Sequence, residues 1–588
     1  MTQHKPPLRT ILFPLLLAVI IGALAGLGAV FFRWLIEFGT DIFWPGEGGF
    51  VSQYEQASVF WRVGVPVLAG FILGPLLHFI APEIRGPGVP EVMAALAQRD
   101  GLIRHRVTLA KSFATATFIA SGCSVGREGP IVQIGSSIGS SLCQLLKLGP
   151  NHRKLAVACG AAAGIAATFQ APMAGTLFVV EILLFDLEVA SLSNIVIAAV
   201  TGTMVSRAFW SDGILFQAPH FVLGHPGELL LYLGLGIVAG LLSLLLMAMI
   251  FGLSKAFSQM KIPGWLSPVF GGLVVGLLGL YQPQALGVGY GAITEVLQGD
   301  FLFTSAVILL LAKLVATSSC IGSGMSGGIF APSLFLGAML GAIFGHFASL
   351  IWPDSLMLPS HFALVGMGAV VAGTTLAPIT AILTIFELTY NYEIILPLMV
   401  ACIPSIIVVR YLHGYSIYET KLLMEGIRIV RGHDANRLRT MKIRDYICTE
   451  HTVIADKMPL PLILEKILNS SFPHFMITDS EENLTGILTL RDVRAFLNKP
   501  GPTDTSITAS DLMTRELATV KENDNLEKAF HLFSNHHYSF LPVVSESNST
   551  HIVGCLKKDD LITAYNQHIL KDHCYPASNL ICSLRNNK

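Results

Sequence analysis

Up to about Tyr411 the chain is a succession of apolar runs, and beyond about Lys442 that pattern stops. The first run is Ile11–Phe32. It is followed by Val63–Phe79, Leu109–Ala120, Leu155–Ala167, Leu177–Phe185, Ile195–Val205, Leu229–Leu253, Val269–Leu280, Leu302–Leu314, Leu334–Ile351, Phe362–Ala372, Ile379–Phe386 and Ile394–Val409. Crossing about 30 Å of hydrocarbon takes about 20 helical residues, and several of these runs are too short. Glycine and proline interrupt them often. Short, broken apolar segments in both halves of a chain point to half-helices around a binding site near the bilayer midplane. Past Lys442 the pattern becomes short strands and helices, with strands expected at His474–Thr478 and Phe540–Val544 and a helix after Asp492 and after Asp560. The prediction is an all-α polytopic membrane domain followed by a small α/β pair.

Both regions are internally repeated. From Gly122 the first half carries Gly126, Pro130, Gly135 and Gly139. From Gly324 the second half carries Gly328, Pro332, Gly337 and Gly341 at the same offsets. Likewise Gly160 leads to Ala171, Pro172 and Glu181, as Gly366 leads to Ala377, Pro378 and Glu387. Two coincidences in one order argue for a duplicated unit, with halves at about 60–210 and 230–420. In the polar region, Gly486-Ile-Leu-Thr-Leu-Arg-Asp492 recurs as Gly554-Cys-Leu-Lys-Lys-Asp-Asp560. The expected divisions are a membrane domain at 1–420, a basic linker at 421–442, small modules at 443–500 and 507–570, and a tail at 571–588.

Composition sharpens this. The chain is 52% hydrophobic and 13% charged, against about 25% charged in a typical soluble domain. A net charge of −1 gives no reason to expect a nucleic-acid partner. Its nine cysteines show no CxxC pairing, which fits buried thiols in a reducing compartment rather than disulfides or a metal site. Ile11–Phe32 is too long for a signal-peptide core of about 7–15 residues. It reads as a membrane helix, with Lys5 and Arg9 placing the N-terminus in the cytoplasm.

The charged pair in Gly122-Cys-Ser-Val-Gly-Arg-Glu-Gly-Pro130 needs an explanation, because a charge at mid-membrane costs roughly 2.5–3.5 kcal/mol. Three stretches, Gly86-Pro-Gly-Val-Pro90, Gly126-Arg-Glu-Gly-Pro130 and Gly328-Ile-Phe-Ala-Pro332, each read as an irregular segment with proline opening a helix. Helix N-termini present unpaired N–H groups and favour anions. Converging starts could solvate a small anion with neutral dipoles and still release it. Glu128 would then lie at the mouth of that site, filling it when ionised and leaving it when protonated or displaced. The competing readings are glycines that serve helix packing alone and a salt bridge between Arg127 and Glu128.

These residues, with Tyr418 in Gly414-Tyr-Ser-Ile-Tyr418, closely resemble the signature of the CLC family of chloride channels and chloride/proton antiporters, over about residues 60–425. The C-terminal pair resembles CBS domains. The resemblance implies two inverted-topology repeats of tilted and re-entrant helices, one pore per subunit, and a homodimer in the cell membrane with cytoplasmic CBS domains. It implies an anion path lined by Pro87, Gly126, Arg127, Gly129 and the amides of Ile329 and Phe330. Tyr418 would donate to the central ion, and Glu128 would be the extracellular-side gate and proton acceptor. Two positions depart from the pattern. Pro87 stands where many members carry serine, and proline there goes with nitrate preference in some members. Ile182 stands where antiporters carry an inner proton-transfer glutamate, so transport would be channel-like or weakly proton-coupled unless Glu181, Asp186 or Glu188 substitutes. Of these, Glu181 reads as structural, because Glu387 matches it in the other half. In the CBS pair, Thr489 and Asp492 fit a ribose-contacting pattern, whereas the second copy keeps Asp560 but has Lys557 for threonine. Adenine nucleotide is thus a candidate ligand at one site at most.

The substrate expected is chloride or another small monovalent anion, with protons as a candidate second substrate and no metal or other cofactor. A nitrate-selective or proton-coupled antiporter is the first alternative. A CBS-regulated divalent-cation transporter ranks low, because few acids accompany the pore motifs. No HExxH or GxSxG with a supporting base occurs, so an intramembrane hydrolase is set aside and no enzyme activity is expected.

Overall fold

The computed structural model describes residues 8–563 except 185–188, 211–215, 217–220, 222–224, 261, 300, 352–357, 428–437, 439–440, 449–450, 471, 498–506, 516, 537, 547 and 549. Asp186, Glu188, most of the basic linker and the tail lie outside the described residues. The chain forms two units, Met1–Ile429 and Val430–Lys588.

Among the described residues of the first unit, eight helices are long and apolar enough to cross a membrane. The first half contains α1 (Leu8–Phe43), α2 (Phe50–Gln56), α3 (Val59–Pro75), α4 (Val89–Gln98), α5 (Arg106–Ala120), α6 (Glu128–Leu145), α7 (Pro150–Phe169), α8 (Pro172–Phe178) and α9 (Val189–Phe209). The second contains α10 (Glu228–Gln259), α11 (Ser267–Tyr281), α12 (Tyr290–Gln298), α13 (Phe303–Gly322), α14 (Phe330–Ile351), α15 (Pro359–Thr375), α16 (Pro378–Thr389), α17 (Ile395–Leu412) and α18 (Ile417–Met424). The chain is thus an all-α polytopic membrane domain followed in sequence by an α/β pair.

Helices outrun the apolar runs that announced them. α1 continues past Phe32 to Phe43, carrying an Arg33–Glu37 pair at 3.0 Å along its surface. α6, expected from its opening proline, lies outside the apolar runs because its serines lower its hydropathy. Those serines are buried and satisfied: Ser136 Oγ donates to Val157 O (3.3 Å) and Ser140 Oγ to Gly101 O (2.7 Å). Proline also sits deeper than expected. α6 begins at Glu128, two residues before Pro130, and α14 begins at Phe330, two before Pro332. All of the first turn's N–H groups lack intrahelical partners, so proline fits anywhere in that turn.

The repeat is visible as pairs of contacts related by the duplication. Helices α6 and α7 cross where Gly135 meets Gly160, and α14 and α15 cross where Gly337 meets Gly366. A Cβ on Gly135 would lie 2.1 Å from Gly160 O, and one on Gly337 2.3 Å from Gly366 O. Small residues let membrane helices approach this closely. Between halves, Thr115 Oγ1 bonds Ser326 Oγ (2.7 Å) and Thr317 Oγ1 bonds Ser124 Oγ (3.1 Å). Each half's threonine reaches the other half's serine, as inverted repeats about a shared axis require.

The second unit holds two three-stranded sheets of the same build. In the first, β1 (Thr452–Ala455) runs parallel to β2 (His474–Thr478), which is antiparallel to β3 (Leu484–Thr489). In the second, β4 (Val520–Lys521), β5 (Phe540–Val544) and β6 (Ile552–Lys557) repeat that order. Both sheets slip register at equivalent points, Ile477/Thr478 and Val543/Val544. A shared apolar seam, with Met476 and Leu484 against Phe540, Val544 and Cys555, joins the two modules.

Candidate functional site

The three motif loops are laced together by backbone hydrogen bonds. Gly126 N–H donates to Gly328 O and Gly328 N–H to Gly126 O, both at 2.7 Å. Gly86 N–H donates to Met325 O (3.1 Å), and Gly327 N–H to Gly86 O (3.2 Å). Pro87 is buried, and its carbonyl touches Gly129 so closely that a Cβ there would lie 2.1 Å from the oxygen. A Cβ on Gly126 would sit 2.3 Å from Glu128 Oε2, so a side chain there would push that carboxylate aside.

At this junction the starts of α4, α6 and α14 meet. The first intrahelical bonds are Val92 N to Gly88 O (3.4 Å), Ile131 N to Arg127 O (3.1 Å) and Ser333 N to Ile329 O (3.0 Å). Amides of Val89 and Glu91, of Glu128 and Gly129, and of Ile329, Phe330 and Ala331 lie ahead of those bonds. Gly126, by contrast, spends its N–H on Gly328, so it braces the junction and presents no donor.

Glu128 is 2% exposed. Its Oε1 accepts from the Tyr290 hydroxyl at 2.8 Å, and its Oε2 from the Ala331 N–H at 3.3 Å. A carboxylate from the first half therefore rests on the first turn of a second-half helix. Arg127 does not pair with it; its guanidinium lies over the Tyr290 ring, 5.3 Å from the centroid. Arg127 also lines a small cavity with Arg33, Gln170, Ser206 and Trp210.

Tyr418 is 1% exposed in the first turn of α18. Ser416 caps that helix: its Oγ accepts from Glu419 N–H (3.2 Å), and Glu419 Oε2 accepts from Ser416 N–H (2.8 Å). Lys421 pairs with the Glu91 carboxylate and donates to Arg85 O (3.3 Å), tying the Tyr418 helix to α4 and its loop.

Sequence reasoning missed three residues here. Tyr290 opens α12, just after Gly287 and Gly289, which occupy the places of Gly86 and Gly88 in the second half. Lys111 and Lys313 are fully buried. Lys111 Nζ donates to Ile84 O (2.9 Å) and Gly86 O (2.8 Å); Lys313 Nζ donates to Ala285 O (3.1 Å), Gly287 O (2.8 Å) and Val288 O (3.3 Å). Each lysine thus holds the carbonyls of a loop that enters the junction. The signal was present: a lysine in an apolar run, eleven residues before Gly122 and again before Gly324.

Glu181 accepts from Ile379 N–H (3.3 Å), Thr380 N–H (2.8 Å) and Thr380 Oγ1 (2.7 Å). Reciprocally, Glu387 accepts from Met173 N–H (3.0 Å) and Ala174 N–H (2.6 Å). Each glutamate caps the other half's short helix, so Glu181 is structurally committed. Ile182 beside it is buried.

In the second unit, Thr489 donates to Asp492 Oδ2 through both its N–H (2.9 Å) and its hydroxyl (2.6 Å), which sets the start of helix Leu490–Leu497. Asp560 is partly buried in helix 558–563, after Lys557, whose ammonium lies 4.6 Å from the Phe472 ring centre.

The fold and this junction define a multi-pass membrane protein built from two inverted repeats, with helix starts from both halves gathered around a buried carboxylate. The comparisons place it further. A family model described as voltage gated chloride channel matches residues 69–410, and a CBS domain model matches 509–567. The chain belongs to the voltage gated chloride channel family, with a C-terminal CBS pair. It is 36% identical over 415 residues to a putative chloride channel protein ClcB-like from Ralstonia nicotianae, covering 69% of this chain and 96% of that one. It is 34% identical over 422 residues to the H(+)/Cl(-) exchange transporter ClcA of Vibrio parahaemolyticus, covering 69% and 89%. Among solved structures, a slow cyanobacterial Cl-/H+ antiporter shares the fold at TM-score 0.64 with 24% identity, covering 70% of this chain and 97% of that one. A eukaryotic CLC transporter does so at 0.63 with 20% identity, covering 94% and 99%.

Proposed function

We propose that this protein carries chloride across the cell membrane through one pathway per subunit of a homodimer, with its N-terminus and CBS modules in the cytoplasm. One observation carries the reading: a Glu128 carboxyl oxygen lies 3.3 Å from the Ala331 amide, where helix starts of both halves meet. An anion there is held by neutral donors, which stabilise it without trapping it. Glu128 is the gate. In the held position its carboxylate takes a place that chloride would otherwise fill; once protonated it no longer competes as an anion, and the place opens. Amides of Ile329 and Phe330, the first turn of α6 at Gly129 and the Tyr418 hydroxyl form the rest of the path, and Arg127 adds positive charge beside the gate.

Coupling to protons is weak or absent in this reading. Ile182 cannot carry a proton, and Glu181 is committed to the start of α16. The test is a chloride gradient imposed on liposomes holding the purified protein. Chloride flux without uphill proton movement fits the proposal; sustained proton pumping would establish an antiporter and overturn the weak-coupling part.

A second reading, nitrate preference, has its own observation. Pro87 is buried in the junction and supplies neither hydroxyl nor N–H. Pro87→Ser should then move selectivity towards chloride in paired flux assays, and an unchanged ratio would remove that reading. At the first CBS module, Thr489 and Asp492 are preset by their mutual bonds to meet a ribose, whereas Lys557 replaces threonine in the second. Adenine nucleotide is therefore proposed at the first module alone, to be tested by nucleotide binding to wild type and Asp492→Ala.

A further inference from the structure

We propose that Cys448 and Cys555 form a reversible thiol–disulfide site that a peroxide oxidises and a dithiol resets. The two residues face each other across an antiparallel bridge. Cys448 N–H donates to Cys555 O at 2.8 Å, and Cys555 N–H to Cys448 O at 3.0 Å. A pair that exchanges both bonds holds its Cα atoms about 5.5 Å apart with both side chains on one face. Disulfides span Cα separations of about 4.4–6.8 Å. The two sulfurs lie within hydrogen-bonding reach, and both residues are thiols in this structure. Packing at the bridge is close: a Cβ on neighbouring Gly554 would sit 2.7 Å from Cys448 O.

The two thiols differ in the way a stepwise reaction needs. Cys448 is partly exposed, whereas Cys555 is buried in the apolar seam between modules. Burial, and then the neighbouring Cys448, push the Cys555 thiol up to about 11. Cys448 therefore meets the oxidant first. Its thiolate attacks one peroxide oxygen, the O–O bond breaks, and the leaving hydroxide takes up the thiol proton as water. Cys448 is then a sulfenic acid. The Cys555 sulfur attacks that sulfur, the S–O bond breaks, a second water leaves with the Cys555 proton, and the S–S bond forms. Two thiols are oxidised and one peroxide is reduced to two waters. A dithiol reverses the bond by exchange.

The bridge would tie the chain just before the first module's β1 to the last strand of the second module. It would lock the two modules across their shared seam. Cys123, Cys143, Cys159, Cys320 and Cys402 are all buried in the membrane unit, which leaves Cys448 the one partly exposed thiol among the described cysteines.

The test uses full-length protein in detergent, exposed to hydrogen peroxide, alkylated and digested without reductant for mass spectrometry. The expected result is a linked Cys448–Cys555 peptide pair, two hydrogens lighter than its parts, in most molecules and cleaved by dithiothreitol. Cys448→Ser should reduce the link at least tenfold, and Cys555→Ser should leave a Cys448 sulfenic acid that dimedone captures. Alkylation of both cysteines after peroxide, a Cys448 sulfinic acid without a link, or bridging of Cys448 to Cys574 or Cys582 would each overturn the proposal.

Discussion

Glu128 owes its position to two donors that arrive from the other half of the chain. The Tyr290 hydroxyl and the Ala331 amide both stabilise the ionised carboxylate in its present place. Hydrogen bonds to charged groups are worth about 1.5–3 kcal/mol. If Glu128 gates the pathway as proposed, Tyr290→Phe should release it at lower proton concentration, moving the midpoint of acid-activated flux up by roughly 1–2 pH units. Glu128→Gln should remove most of the pH dependence while the pathway stays open. Liposome flux between pH 4.5 and 8 reads both. Glu128 was legible because a charge among glycines in an apolar chain demands a reason. Tyr290 was not, because an aromatic at a helix start looks like any interfacial tyrosine until its partner is placed. Lys111 and Lys313 could have been found by extending the duplicated frame upstream of Gly122 and Gly324.

At the scale of elements, the half-helices need their ends satisfied within lipid, and the duplication supplies the means. Glu181 caps α16, and Glu387 caps α8. Leaving buried donors unpaired costs about 1–3 kcal/mol each. Glu387→Ala should lower the thermal unfolding temperature in detergent, and Glu387→Gln should recover part of the loss through its amide oxygen. Gly337→Leu should abolish folded protein outright, because no rotamer removes the Cβ from the Gly366 carbonyl. Element identity was readable where apolar periodicity was strong. Hydropathy passed over α6, which Pro130 alone announced, because Ser136 and Ser140 look polar in sequence but bond to carbonyls of neighbouring segments. The reciprocal capping was half legible, since the Glu181–Glu387 match was visible and its crossing of the halves was not.

Across the whole molecule, each unit carries its own response to conditions. In the C-terminal unit, the His474 ring stacks on Phe540 at 4.4 Å and its Nε2 bonds Ser539 Oγ at 3.0 Å. Burial, and then Lys557, hold its pKa below the usual value near 6.5. The unfolded chain therefore binds the proton more readily than the folded one. Stability from this group is complete above the unfolded value and is lost as pH falls below it. Acidification from pH 7.5 to 5.5 should increase protease cutting around residues 470–560, and His474→Leu should blunt that change. In the membrane unit, the proposed function requires helix starts from both halves to replace water around an anion at the junction. Anomalous diffraction from bromide-soaked crystals tests that claim most directly. In Glu128→Gln a bromide should appear at the Ala331 amide that wild type lacks, beside the amides of Ile329 and Phe330. Identical bromide positions in the two proteins, or none near those helix starts, would contradict it.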